Sequence, residues 1–111
     1  MTNETLETIK KRRSCRAYKP EQITDEELNA VLEAGTYAAS AMGRQSAKIV
    51  VVQDAATRAQ LTRMNAAVMG TNNDPMYAAP TILVVLADAN SKNAVQDGSL
   101  VMGNLMLAAA S

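Results

Sequence analysis

Histidine, phenylalanine and tryptophan are all missing from this 111-residue chain; cysteine occurs once and tyrosine three times. With no histidine and a lone Cys15, neither a structural zinc site nor an internal disulfide framework is expected. The scarcity of aromatics leaves the core to Ala, Val, Leu, Ile and the seven Met residues. It also removes the stacking platforms on which single-stranded nucleic acids are held. Long apolar runs are absent too. Segments such as Ile82–Ala87 are far too short to span a bilayer, and the polar N-terminus has no hydrophobic signal region. The default is a soluble, cytoplasmic protein. At 48% hydrophobic and 20% charged residues, the composition fits one globular domain.

What is present alternates between helical and extended patterns. Leu6 and Ile9 mark a short helix over residues 3–12, and Pro20 blocks its continuation by forcing Lys19 out of the helical region. Thr24-Asp25-Glu26-Glu27 is a capping box, in which the Thr24 hydroxyl accepts the Glu27 N–H and Glu27 reaches back. It opens a helix to about Tyr37, with Leu28, Val31, Leu32 and Gly35 at helical spacing. KIVVVQ (48–53) is continuous and β-branched, the pattern of a buried strand. Asp54 then caps a helix over about 55–67, with Leu61, Met64 and Val68 expected on its inner face. A polar loop covers Gly70–Pro75, Pro80 introduces a second buried-type strand in TILVVLA, and residues 93–111 return to helix. There Leu100, Val101, Asn104, Leu105 and Leu107 share one side. No repeat or linker divides the chain, and the class is α/β or α+β. LVMGNLMLAAAS is still in helical pattern at Ser111, and two buried-type strands call for sheet neighbours. The expectation is an incomplete domain, truncated at its C-terminus.

One segment stands out electrically. Lys10, Lys11, Arg12, Arg13, Arg16 and Lys19 crowd into KKRRSCRAYKP (10–20), although the chain has eleven basic and eleven acidic residues and no net charge. Nucleic acid is disfavoured because only five basic residues lie elsewhere. Membrane attachment lacks a lipidation site, since position 2 is Thr2. Lys10 and Lys11 fit a solvated helix C-terminus, where cations complement the dipole. Arg12, Arg13, Ser14 and Arg16 suggest more. Guanidiniums make forked, charge-assisted bonds to phosphate oxygens, and a hydroxyl fills a remaining acceptor position. So compact a cluster suits a single phosphate better than a polymer.

The stretch RRSCRAYKPEQITDEELNAVLEAGTYAASAMGRQSAKIVVV resembles the opening of an FMN-dependent nitroreductase-family protein, with its RRSxRxY/F segment, capped helix, turn and strand. YAAPTILVV and DGSLVMGNLMLAAAS resemble the strand and long helix that follow. The resemblance implies a nitroreductase-like fold, a central sheet flanked by helices, represented here by its N-terminal part. It implies FMN as cofactor and NADH or NADPH as donor, with hydride passing through flavin to a nitroaromatic, quinone or similar small-molecule acceptor. Arg12 and Ser14 would hold the phosphate and ribityl chain with Arg13 alongside, and Arg16 would lie near the pyrimidine ring. The turn Ala39-Ser40-Ala41-Met42 would cover the flavin of a partner subunit. A homodimer with flavin at its interface is therefore implied, much of its contact made by the final helix through Asn104. Asn72 falls where relatives place an asparagine on the ring. No acid–base triad and no metal is implied.

Several positions depart from the family pattern. Ala39 stands for the usual Pro, Gly43 for a frequent Asn, and Ser46-Ala47 for Pro-Trp, so the acceptor pocket loses an aromatic wall. For Ser40 and Asn72 the plain alternative is a turn residue. Cys15 is expected to point inward as a small apolar residue between outward Ser14 and Arg16. Two other readings stand beside the enzyme. One is a non-catalytic anion- or nucleic-acid-binding module built on the basic segment. The other is an inactive fragment, with weak or no FMN binding by these 111 residues alone.

Overall fold

The computed structural model describes residues 1–111 and contains four α-helices, one short 3-10 turn and two strands. The helices are α1 (Glu4–Lys11), α2 (Asp25–Thr36), α3 (Ala55–Met69) and α4 (Ala94–Ala110); the strands are β1 (Lys48–Val52) and β2 (Ile82–Leu86). The two strands are hydrogen-bonded neighbours in a two-stranded sheet. The chain forms two compact units that interleave in sequence: residues 1–14, 24–50 and 85–111 make the first, residues 15–23 and 51–84 the second.

Helix ends follow local chemistry. Asn3 opens α1 by accepting the Leu6 N–H at 2.9 Å. At α2 the Thr24 hydroxyl accepts the Glu27 N–H at 3.2 Å and donates to Glu27 Oε1 at 2.7 Å, so Glu27 reaches back to the capping hydroxyl itself. Asp54 opens α3 by accepting the Thr57 N–H at 2.8 Å and the Thr57 hydroxyl at 2.7 Å. Those bonds, the hydroxyl first, hold its carboxyl below its ordinary value. Gly70 closes α3 in the left-handed region at φ 69°, a conformation that glycine adopts without a Cβ penalty.

The core of the first unit lies where α2 packs against α4. Leu28 and Val31 of α2 and Leu105 of α4 are buried there. Gly35 permits the close approach: a Cβ at this position would sit 2.7 Å from Leu105 Cδ2 and 2.8 Å from Ile49 Cδ1. Asn104 ties the same helices together, its amide donating to the Ala34 carbonyl at 2.9 Å.

In three places burial differs from the sequence expectation. Val50 and Val51 of β1 are exposed and only Val52 is buried, while β2 buries only Ile82. Each strand has a single strand neighbour, and burial on both faces needs covering layers. In α3 no residue is buried; Met64 is 57% and Val68 89% exposed. The expected inner face is only partly covered: Leu61 is half-buried, while Met64 and Val68 lie in the open. Cys15 is exposed rather than inward. Its segment is not a strand, so side chains do not alternate, and the thiol instead donates to the Ala17 carbonyl at 3.1 Å.

Candidate functional site

In the first unit, α1 ends directly in the basic segment. Arg12 caps the helix with φ −55° and ψ 134°, and its N–H donates to the Thr8 carbonyl. The Arg13 guanidinium folds back and donates through one nitrogen to the carbonyls of Lys10 at 2.7 Å and Arg12 at 2.8 Å. That is the favourable place for a cation, over the negative end of a helix. Arg12 is half-buried and Ser14 exposed. The ion pair of this region, Lys11 with Glu7 at 3.7 Å, involves neither of them. The guanidinium of Arg12 and the hydroxyl of Ser14 are therefore left available to an anion, while Arg13 is already engaged with carbonyls.

The same unit carries the second predicted element, the turn after α2. Ser40 is extended (φ −140°, ψ 154°), and Met42 (φ 54°), Gly43 (φ 65°) and Gln45 (φ 50°) are left-handed. Two non-glycine residues in that region cost on the order of 1 kcal/mol each or more, so the turn needs outside support. Ser40 supplies part of it: its hydroxyl accepts the Gln45 N–H at 3.0 Å, the turn-hydroxyl role. The Gln45 side chain donates to the Thr36 carbonyl at 3.3 Å, joining the turn to the end of α2. The Ala41 N–H donates to Asp97 Oδ1 at 2.9 Å, a partner 56 residues away on α4. Ala39 and Met42 are exposed, Met42 by 85%. Gly35, Ser40, Gln45, Ile49 and Asp97 line a cleft of about 180 Å³ beside the turn.

The second unit holds the other predicted residues. Arg16 is exposed in the irregular segment after Ser14, where the Tyr18 hydroxyl donates to the Cys15 carbonyl at 2.8 Å. Gln22 fastens that segment by donating to the Pro80 carbonyl at 2.9 Å and accepting from the Thr81 hydroxyl. Asn72 is exposed in the bend after Gly70. The hydrogen bonds of that loop are made by its neighbours: Thr71 accepts the Asn73 N–H at 3.1 Å, and Asp74 accepts those of Met76 at 2.8 Å and Ala78 at 2.7 Å. These bonds, Met76 first, lower the Asp74 carboxyl below its ordinary value. They support Tyr77 and Ala78, both left-handed.

Sequence reading missed Asp97. Its carboxylate is 3% exposed, the one buried charged side chain of the chain. A carboxylate in the first turn of a helix is ordinary and does not by itself mark a site. One signal was available: Asp97 is the sole charged residue between Ala94 and Ser111.

The first unit thus contains both a helix running into uncommitted basic and hydroxyl groups and a pinned left-handed turn. The nitroreductase family model matches residues 9–111, and the chain belongs to that family. It is 35% identical to an Archaeoglobus fulgidus protein named "Putative NADH dehydrogenase/NAD(P)H nitroreductase", over 96% of this chain and 61% of that protein. Among solved structures, an FMN-bound nitroreductase from Bacteroides fragilis superposes with a TM-score of 0.86 at 34% identity, over 98% of this chain and 65% of that one. An FMN-bound nitroreductase from Desulfitobacterium hafniense gives 0.88 at 31%, over 99% and 66%. The fold is nitroreductase-like, and the chain spans a little under two thirds of these relatives.

Proposed function

We propose that the protein is an FMN-dependent oxidoreductase that takes hydride from NADH or NADPH and passes it to a nitroaromatic, quinone or similar small acceptor. The observation that carries this reading is the pair Arg12 and Ser14. The guanidinium of half-buried Arg12, with no carboxylate partner, and the Ser14 hydroxyl two residues on match the donors a phosphate monoester requires. FMN fits that donor set, and the FMN-bound relatives support the choice. When bound, it supplies a two-electron carrier between nicotinamide and acceptor.

The chain's own residues bind and orient. Arg12 and Ser14 hold the phosphate, and Arg13 adds positive potential from its place on the α1 carbonyls. Arg16 supplies a fixed cation for the pyrimidine side of the ring, where reduction builds negative charge. Asn72 offers an amide to the ring edge. The Ala39–Met42 turn offers backbone to the flavin of a partner subunit, which makes the working unit a homodimer. Positioning is the protein's main contribution, and no proton relay is needed. No helix is long and apolar enough to cross a membrane, and a cytoplasmic enzyme is the proposal.

The test is spectroscopic. The natural gene product carrying these residues, purified and incubated with FMN, should retain a flavin absorbance band through desalting and lose it anaerobically on addition of NADH or NADPH. A colourless protein that takes up no FMN would overturn the proposal.

A further inference from the structure

The first unit buries one carboxylate for which the proposed chemistry has no use. Asp97 lies in the first turn of α4, 3% exposed, and Lys11–Glu7 is the chain's ion pair, so no cation neutralises it. A charge so placed is costly unless its hydrogen bonds are good. Two features of the backbone meet that cost. The N-terminal end of α4 favours negative charge, and the Ala41 N–H donates to Oδ1 at 2.9 Å. The recipient of that bond is specific: Ala41 follows extended Ser40 and precedes left-handed Met42 and Gly43. The carboxylate thus grips the turn one residue before its backbone becomes left-handed.

We infer that Asp97 is a positioning residue, which fixes the Ala39–Met42 turn in its left-handed form and thereby presents that backbone to the flavin. The turn has three side-chain latches, one of which, Gln45 to the Thr36 carbonyl, ties it to the end of α2. Ser40 to Gln45 is local and moves with the turn. Asp97 to Ala41 is the only side-chain latch that refers the turn to α4. Losing the local latch leaves the turn referred to both helices, whereas losing the remote one leaves it tied to α2 alone and free to shift against α4. The effect on flavin rests on the proposed function; the effect on the turn does not.

Three variants of the natural gene product test the inference, with Ala41 amide exchange read in the two Asp97 variants and flavin binding read in all three. Asp97→Ala removes the acceptor, Asp97→Asn keeps an acceptor oxygen in nearly the same volume, and Ala41→Pro removes the donor. Proline is well placed at position 41, the first residue of a helical turn preceded by an extended residue. Ala41→Pro also serves where Asp97→Ala fails to fold. Loss of a bond to a charged group corresponds to roughly 10- to 100-fold. Asp97→Ala should accelerate exchange of the Ala41 amide in the FMN-free protein by about that factor. The FMN Kd should rise at least about tenfold, with a changed visible circular dichroism of the bound flavin, for both Asp97→Ala and Ala41→Pro. Asp97→Asn should restore both readouts to within a few fold. The inference is overturned if the Ala41 amide keeps its protection in Asp97→Ala, or if protection is lost while FMN affinity and dichroism stay at wild-type values. A wild-type protein that takes up no FMN defeats the proposed function instead, and amide exchange then decides the role of Asp97 in the turn.

Discussion

Two turns in this molecule solve the same problem by different means. Each contains consecutive left-handed residues, Met42-Gly43 in one and Tyr77-Ala78 in the other, and each is held by a carboxylate that accepts backbone N–H groups. Asp74 acts on residues two and four positions ahead, in an Asx-type turn that is exposed. Asp97 acts on a residue 56 positions back and is buried. The first device is carried by a short peptide wherever it occurs. The second exists only once α2 and α4 have packed, so it makes the turn's geometry depend on the fold.

The most severe way to break the contrast is to delete both carboxylates separately. Asp97→Ala should cost about 2 kcal/mol in urea unfolding, the range for a buried bond to a charged group, and Asp74→Ala clearly less, because water replaces its bonds. Equal losses would mean that burial does not separate the two turns. A second pair of variants asks whether the distinction extends beyond the turns. Gly35→Ala drives a methyl against Leu105 and Ile49 and should cost about 1–2 kcal/mol net of improved helix propensity. Trimming both obstacles, with Leu105→Ala and Ile49→Val, should make the extra methyl at position 35 tolerable. Gly70→Ala meets no atom within 4 Å, and its cost, about 1 kcal/mol, should come from the backbone alone. Asparagine, which tolerates the left-handed region, should recover most of that loss at position 70.

The smallest effect is a pH dependence. The Asp74 carboxyl is lowered from its ordinary value of 3.8 by the Met76 and Ala78 amides. Its contribution to stability is therefore complete above about that value and is lost as pH falls through the lower native one. Acid unfolding curves of wild type and Asp74→Asn should diverge at neutral pH and converge below pH 3.8. A constant offset at all pH values would remove Asp74 from the account.

The same divide explains what could be read in the sequence. Helix starts were legible because their causes are a few residues away: Thr24 with Glu27 and Asp54 with Thr57. The α2 stripe of Leu28, Val31 and Gly35 was legible because its period is intrinsic and α4 packs against it. The same reasoning failed for Met64 and Val68, since a period says which face can be buried but not whether anything covers it. It failed for Cys15, where an alternation was assumed in a segment that forms no strand. Arg12, Arg13, Ser14 and Arg16 were picked out by charge density, and that signal is blind to orientation. Folding turned Arg13 back onto its own helix and left Arg12 unpaired. Asp97 stayed hidden because its partner is fixed by packing alone.

The exposed thiol of Cys15 has a practical corollary. It is the only cysteine, it reaches solvent, and it follows Arg12, Arg13 and Ser14 directly. A maleimide dye would therefore attach at one defined position without any engineered residue. Such a conjugate would turn the basic segment into its own fluorescence gauge, brightening or dimming as an anion settles beside it.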